Sequence, residues 1–189
     1  MTAVDVESQG YVSGTWSIDP VHSEVGFAVR HMMVAKVRGR FTKFEGTIVT
    51  AGDPLKSSVT ATIDTASIET GNEQRDDHIR SGDFLEIEKY PTMTYRSTGV
   101  RQDGDDYVLD GELTLKGVTR SVPLKLEING FAPDPMGVGD RRAGFTASGE
   151  IDRTDFGVNF NGAIPGGVAV SEKVQLLLEV EAVRQKPGE

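Results

Sequence analysis

The histidines are the first side chains in this sequence whose chemistry could build a metal or acid–base site. Three are present, at His22, His31 and His78. His22 and His31 are nine positions apart, an odd number, so they point to opposite faces of an extended strand. His78 lies beside Asp76 and Asp77 in a segment with helical character. We therefore predict that the three histidines are structural or surface residues and that they bind no metal.

Nucleophile and cofactor motifs are missing from the sequence. Ser23 follows His22 directly, and neighbours on a strand face away from each other, so the two cannot act as a catalytic pair. The sequence has no cysteine, no Gly-x-Ser-x-Gly elbow and no glycine-rich phosphate-binding loop. With 29 acidic residues the sequence leaves open a pair of carboxylates for glycoside hydrolysis, but no sequence pattern selects such a pair. We predict a protein without catalytic residues, enzymatic activity or cofactor.

The charge balance bears on the partners of the protein. Lys and Arg number 20 against 29 Asp and Glu, which gives a formal net charge of -9 over 189 residues. Such a chain repels nucleic acid and anionic membranes except where a local basic patch intervenes. One basic cluster exists, and it is either the solvated face of two strands or a positive rim for an anionic head group: Arg30, Lys36, Arg38, Arg40 and Lys43.

Two further features of the sequence concern location. No run of 18 apolar residues exists, so we predict no stable membrane insertion. Residues 1–10 lack the basic start and the apolar stretch of a secretion signal, which predicts a cytoplasmic protein.

The elements that must position these side chains show a period of two. Apolar and polar residues alternate in eight or nine segments, of which 107–115 and 174–182 are the clearest. One wet face and one apolar face are typical of antiparallel sheet. The phase slips by one residue near Lys43, as a β-bulge would cause. One short helix is predicted near 72–82, ending at Gly82, and a second short turn around 158–164.

Small residues recur on the apolar faces of these strands, and they favour one all-β architecture over another. The positions are Gly39, Gly46, Ala61, Gly111, Ala147 and Gly149. A packed β-sandwich needs large side chains at these positions, whereas a β-barrel uses small residues for strand coiling and for interior space. We predict an all-β fold: one extended antiparallel β-barrel of about eight strands, spanning 12–184, with flexible termini at 1–11 and 185–189.

Several sequence motifs, in order, resemble those of the YceI-like family. The matching segments begin with Trp16-Ser17-Ile18-Asp19-Pro20-Val21-His22-Ser23 and continue through 25–31, 37–41, 75–81, 83–85, 89–91, 111–119 and 151–157. The resemblance covers roughly residues 14–184. It implies a lipocalin-like barrel that binds a polyisoprenoid or another amphiphilic lipid along its axis and that often forms a homodimer. Many members carry a secretion signal, and residues 1–10 show none of the features expected of one.

A lipid-binding barrel assigns roles to particular side chains. We expect the wall of the cavity to include Phe27, Val29, Phe41, Ile63, Leu113 and Phe145. The polar head of the lipid would meet Arg30, His31 or Arg153 at the rim. Two alternatives stay open at this point. One is an enzyme that acts on a hydrophobic substrate through His31 or Tyr95, and the other is a fully packed barrel with a stress-related or interaction role.

Overall fold

The computed structural model describes residues 10–164 and 167–186. In chain order its strands are β1 (Gly14–Ile18), β2 (Glu24–His31), β3 (Ala35–Phe41), β4 (Phe44–Thr50), β5 (Ser58–Asp64), β6 (Ile68–Glu69), β7 (Thr92–Asp103), β8 (Asp106–Leu115), β9 (Val118–Ser121), β10 (Leu124–Pro133), β11 (Arg141–Asp152), β12 (Ala163–Ile164), β13 (Gly167–Val168) and β14 (Lys173–Arg184). Within these described residues the α-helix α1 spans Glu73–Arg80, and 3₁₀ turns occupy Pro54–Lys56, Thr65–Ser67 and Arg153–Phe156.

Eight of these strands form a closed antiparallel ring in the order β1, β4, β5, β7, β8, β10, β11 and β14. β1 closes the ring because it pairs with β4 on one side and with β14 on the other. Closure leaves the ring without a free edge along these pairings. The all-β barrel of about eight strands that the sequence predicts is therefore confirmed.

Two of the ring strands continue past a bend. β2 extends the line of β1 and pairs with β14, and β3 extends the line of β4 and pairs with β2. The bend between β3 and β4 is at Thr42 and Lys43, whose backbone N–H groups donate to the carbonyl oxygen and the hydroxyl oxygen of Ser67. The phase slip in the sequence therefore marks a real interruption, because these two donors leave the strand ladder for Ser67.

The helix α1 lies where the sequence predicts it, with a difference at its end. The side chain of Asn72 caps the first turn by accepting from the N–H of Arg75. The helix stops at Ser81, not at the predicted Gly82, because Ser81 adopts an extended conformation and its N–H bonds to the carbonyl of His78. The second predicted turn is absent: residues 158–162 have no regular secondary structure.

The small residues on the inner faces have two different uses. A Cβ atom at Gly39 would lie 2.3 Å from the ring of Phe27, and one at Gly111 would lie 2.4 Å from the ring of Tyr95. At these two positions glycine lets an aromatic ring lie flat across the neighbouring strand. Ala61 and Ala147 instead border open space inside the barrel. Of the two predicted uses of small residues, strand coiling and interior space, the two alanines serve the second, whereas these two glycines make room for aromatic rings.

The ends of the described chain are tied to the barrel. Tyr11 donates a hydrogen bond of 2.6 Å to the carbonyl of Ala51, and its ring contacts that of Phe131 edge-on at 5.2 Å. Gln185 donates from its backbone to Thr15. The remainder of the termini that the sequence predicts to be flexible, residues 1–9 and 187–189, lies outside the described residues.

Candidate functional site

The barrel encloses a cavity of about 500 Å³. Apolar side chains on the inner faces of the strands form most of its wall, because alternate residues of each strand point inward. The predicted site residues that line it are Phe27, Val29, His31, Phe41, Ile63, Leu113, Phe145 and Arg153. The structure therefore brings together eight of the nine side chains that the sequence analysis selects.

Arg30 is the predicted residue that does not line the cavity. It lies on β2 between Val29 and His31, which both face inward, so its own side chain is on the outer face and is exposed. The same parity places Lys36 and Arg38 of β3 outside, because Val37 between them lines the cavity. The basic cluster is therefore on the outer surface of the barrel, not inside its rim.

Further lining residues come from parts of the chain that the sequence analysis does not assign to the site. One group lies on the inner face of β14 and follows the alternation visible in the sequence: Val174, Leu176, Leu178 and Val180. Another comes from α1 and from the irregular segments around it: Ile79, Phe84, Val158, Phe160 and Val170. Strand parity is a sufficient signal for the first group, whereas no local pattern indicates the second.

Several lining residues that are also exposed to solvent lie together and mark a mouth of the cavity. They belong to the end of β2, to α1 and to the segment after the last 3₁₀ turn: His31, Arg75, His78 and Phe160. The ring of Phe160 contacts those of His78 and Phe84 edge-on, with centroids 4.9 Å and 5.2 Å away. His31 forms a backbone bridge with Val170, which joins β2 to the same segment.

Arg153 is a buried charged group in the wall near this mouth, with only 5% of its surface exposed. Its guanidinium donates to the backbone carbonyls of Val158 at 2.7 Å, Phe160 at 2.9 Å and Ser171 at 2.9 Å. Within the described residues no carboxylate lies at ion-pair distance from it. Burial lowers the pKa of Arg153 from its ordinary value. A positive group thus borders the apolar cavity with backbone dipoles as its partners.

Tyr95 and Tyr107 also line the cavity, as does Tyr11. Tyr95 donates a hydrogen bond of 2.9 Å to the carbonyl of Val122, and burial raises its pKa well above the ordinary value, so the phenol stays protonated. Tyr107 is 2% exposed, and its hydroxyl has no hydrogen-bond partner among residues 10–164 and 167–186. In the described part of the chain no hydrogen bond joins either hydroxyl to a side-chain base that would activate it as a nucleophile.

The histidines are not gathered into one centre. His22 lies with Asp19 and Glu181 in a group of potential metal ligands, apart from the cavity. Arg142 donates to Asp19 at 2.9 Å and to Glu181 at 2.6 Å, so a guanidinium already supplies the positive charge there. Burial acts to raise the pKa of Asp19, but hydrogen bonds from Arg142 and His22 outweigh it and lower the pKa to about 2. This cluster stabilises the barrel wall.

A closed antiparallel barrel around an apolar cavity defines a class of small β-barrel proteins with a hollow interior. Within that class the chain belongs to the YceI-like family, whose domain profile matches residues 16–182. The sequence is 39% identical to Protein YceI of Escherichia coli over 166 residues, which cover 87% of this chain and 83% of that protein. The family resemblance of the sequence motifs is therefore confirmed.

Two solved structures share the fold. BcnA of Burkholderia cenocepacia superposes with a TM-score of 0.75 at 24% identity, covering 88% of this chain and 99% of that one. A polyisoprenoid-binding domain from Saccharophagus degradans, implicated in plant cell wall breakdown, gives a TM-score of 0.66 at 18% identity, covering 92% and 99%. No helix in the described part of the chain has the length and apolar character needed to cross a bilayer.

Proposed function

We propose that this protein binds a long-chain isoprenoid or a similar amphiphilic lipid inside the barrel and acts as its carrier, store or sequestering protein. The observation that carries the proposal is the apolar cavity of about 500 Å³. Sites for small molecules have volumes of about 300–1,000 Å³ and mostly apolar walls. The polyisoprenoid-binding domain of Saccharophagus degradans, which has the same fold, supports this ligand class.

Burial of the lipid tail supplies the binding free energy. Each methylene removed from water contributes about 0.8 kcal/mol, so ten carbons contribute about 8 kcal/mol before the costs of association. Those costs remove a large part of the gain, and about micromolar affinity remains without any ionic contact. Because this driving force has no direction, the cavity discriminates weakly between prenyl and acyl chains of similar length.

The polar head of the lipid lies at the mouth in this proposal, and the tail lies between the walls that carry Phe27, Phe41 and Leu113. Arg153 and His31 are two of the polar side chains that line the cavity near the mouth, together with Arg75 and His78. An anionic or strongly polar head group would accept a hydrogen bond from either of them. Arg30 faces outward and has no role in this arrangement.

A binding protein fits the wall better than an enzyme does. The hydroxyl of Tyr95 is already bonded to a backbone carbonyl, and the side chain of His31 has no acidic partner in the described structure to orient it. A fully packed barrel is the other alternative, and a cavity of about 500 Å³ argues against it. The homodimer stays a prediction.

The test is whether the purified protein contains and takes up a lipid. Organic extraction followed by mass spectrometry should find a prenyl or acyl lipid in the protein as isolated. Delipidated protein should bind a fluorescent prenyl or acyl probe with saturation, and a long-chain prenol should displace the probe where isopentenol does not. An empty extract together with no saturable uptake of either probe would overturn the proposal.

A further inference from the structure

The loop between β2 and β3 exposes three consecutive apolar side chains. Met32 is 44% exposed, Met33 57% and Val34 83%. Single apolar side chains on a surface are ordinary, but three in succession at the tip of a hairpin form a projecting apolar end. We call residues 32–34 the hairpin tip.

The backbone of the hairpin tip shows that folding alone does not select these residues. Met32 and Met33 have φ angles of 53° and 62°, and the N–H of Val34 bonds to the carbonyl of His31 at 3.2 Å. Turns with two successive positive φ angles favour glycine, asparagine and aspartate, which tolerate this conformation. Two methionines are strained there, and their side chains gain little burial within the barrel in return.

Basic residues flank the hairpin tip at Arg30 and Lys36, and others follow along β3 and at the bend after it. Between Glu24 and Glu45 the sequence has no acidic residue and five basic ones: Arg30, Lys36, Arg38, Arg40 and Lys43. Arg30 lies directly opposite Lys36 in the ladder, an arrangement of like charges that destabilises a hairpin. Among the described residues the one ion pair of this group joins Arg40 to Glu69 at 3.5 Å. The unneutralised positive charge stands out in a chain of net charge -9.

The same hairpin forms part of the cavity mouth. Val29 and His31 on β2 and Val37 on β3 line the cavity, and they immediately flank the hairpin tip. A surface that received the tip would therefore come close to the mouth.

We propose that the hairpin tip docks on an anionic lipid bilayer. Met32, Met33 and Val34 enter the acyl boundary, and the outward basic residues of β2 and β3 contact the anionic head groups. Apolar insertion combined with basic contacts is how peripheral proteins bind such membranes. Docking of this kind holds the protein at the surface without spanning it. The proposal concerns the outer surface of the hairpin and goes beyond the proposed function, since it holds whichever lipid the cavity takes.

Vesicle flotation tests the proposal, with phosphatidylcholine vesicles that contain phosphatidylglycerol or lack it. The wild-type protein should float with the anionic vesicles, and salt should weaken the binding. Met33→Asp should reduce binding at least about tenfold, and Lys36→Glu about fivefold or more, because each basic residue near an anionic surface contributes about that factor. The matched controls Met136→Asp and Lys125→Glu alter an exposed methionine and an exposed lysine elsewhere and should keep wild-type binding.

Each outcome decides the proposal. Absence of binding to anionic vesicles, or equal losses in the hairpin variants and in their controls, would overturn it. If Lys36→Glu lost vesicle binding while Met33→Asp kept it in full, the proposal would also be overturned. The basic residues of β2 and β3 would then attract soluble anions or acidic macromolecules, and the hairpin tip would not insert. Uptake of the soluble fluorescent prenyl probe, measured without vesicles, reports on the cavity. Retained uptake with failed flotation would leave the proposed function standing and remove this inference alone.

Discussion

Replacing Ala147 with phenylalanine places an aromatic ring inside the cavity from the inner face of β11. Ala147 is 7% exposed and lines the cavity, as does Ala61 on β5, which provides a second variant at a separate point of the wall. Both substitutions leave the polar groups at the mouth untouched. The change therefore tests whether the volume of the interior determines which lipids bind.

The expected effect follows from the volume. A cavity of about 150 Å³ holds one benzene ring, so about 500 Å³ accommodates roughly 20 carbons, and the added ring leaves room for about 14. Losing about six buried methylenes removes about 5 kcal/mol of gross transfer free energy. Because the displaced part of the chain keeps some contacts at the mouth, we expect the Kd of a 20-carbon chain to rise at least about a hundredfold. A chain of about 12 carbons still fits and should change less than about threefold.

Displacement of a fluorescent probe by a series of alcohols of increasing length measures this dependence. The affinity of the wild-type protein should increase with length and level off near the capacity of the cavity, and Ala147→Phe and Ala61→Phe should level off earlier. Overpacking costs about 1–3 kcal/mol, so circular dichroism and urea unfolding must show that each variant is folded. Ala132→Phe, at an exposed alanine of β10, is the matched control and should behave as the wild type.

The result that would refute the reasoning is specific. If a folded Ala147→Phe variant and a folded Ala61→Phe variant both kept the wild-type dependence on chain length, the ligand would not occupy the interior of the barrel. An equal loss for short and long chains would contradict the volume argument as well, because it would indicate general damage to the site.

Three further predictions concern the polar groups. Tyr107→Phe should leave the free energy of unfolding, measured by urea titration, unchanged or raise it by up to about 1 kcal/mol, since the lost hydroxyl has no partner among the described residues. A clear loss of stability would show that the hydroxyl does have a hydrogen-bond partner. Arg153→Met should lower the free energy of unfolding by about 3 kcal/mol and speed amide hydrogen exchange in residues 158–162, because the backbone carbonyls of this segment lose their donor. Unchanged hydrogen exchange in these residues would contradict the prediction. The pKa of Asp19 is lowered from 3.8 to about 2, so its stabilisation is complete above pH 3.8 and is lost as the pH falls through about 2. Asp19→Asn should therefore flatten the decline of stability in that window, and an unchanged slope would refute the assignment.

The strands and their inward faces are the part of the structure that the sequence predicts best. In β8 every second residue from Tyr107 to Leu115 is buried, as the alternation indicates. This works because strand parity is local: once one residue faces the core, its neighbours two positions away do so too. The same parity explains why Phe27, Val29 and Phe41 line the cavity, as the sequence predicts, and why Arg30 cannot join them.

The parts that local patterns do not determine are the mouth and its polar contacts. Arg153 lies in the motif that resembles the family, but its bonds to the carbonyls of Val158 and Phe160 depend on an irregular segment with no period. The packing of Phe160 against His78 likewise joins residues more than 80 positions apart in the sequence. Such contacts follow from the closed barrel as a whole, and no local rule of sequence anticipates them.

The glycines show a limit of a different kind. The sequence predicts that Gly39 and Gly111 serve interior space or strand coiling, whereas in the structure each receives an aromatic ring from the adjacent strand. Sequence alone identifies a missing side chain but not the neighbour that fills the gap, because that neighbour is set by strand register. Phe27 opposite Gly39 is a register partner, and the register is fixed only when the whole hairpin forms.

The pairing of β14 has a consequence for biosynthesis. β14 is the last strand of the fold to leave the ribosome, and it contacts β11, β2 and β1. Until it arrives, β1 and β11 each present an unpaired edge, and the apolar interior is open to the cell. The barrel therefore cannot close before β14 has left the ribosome, and the nascent chain is most exposed to aggregation and to chaperones in the interval before that.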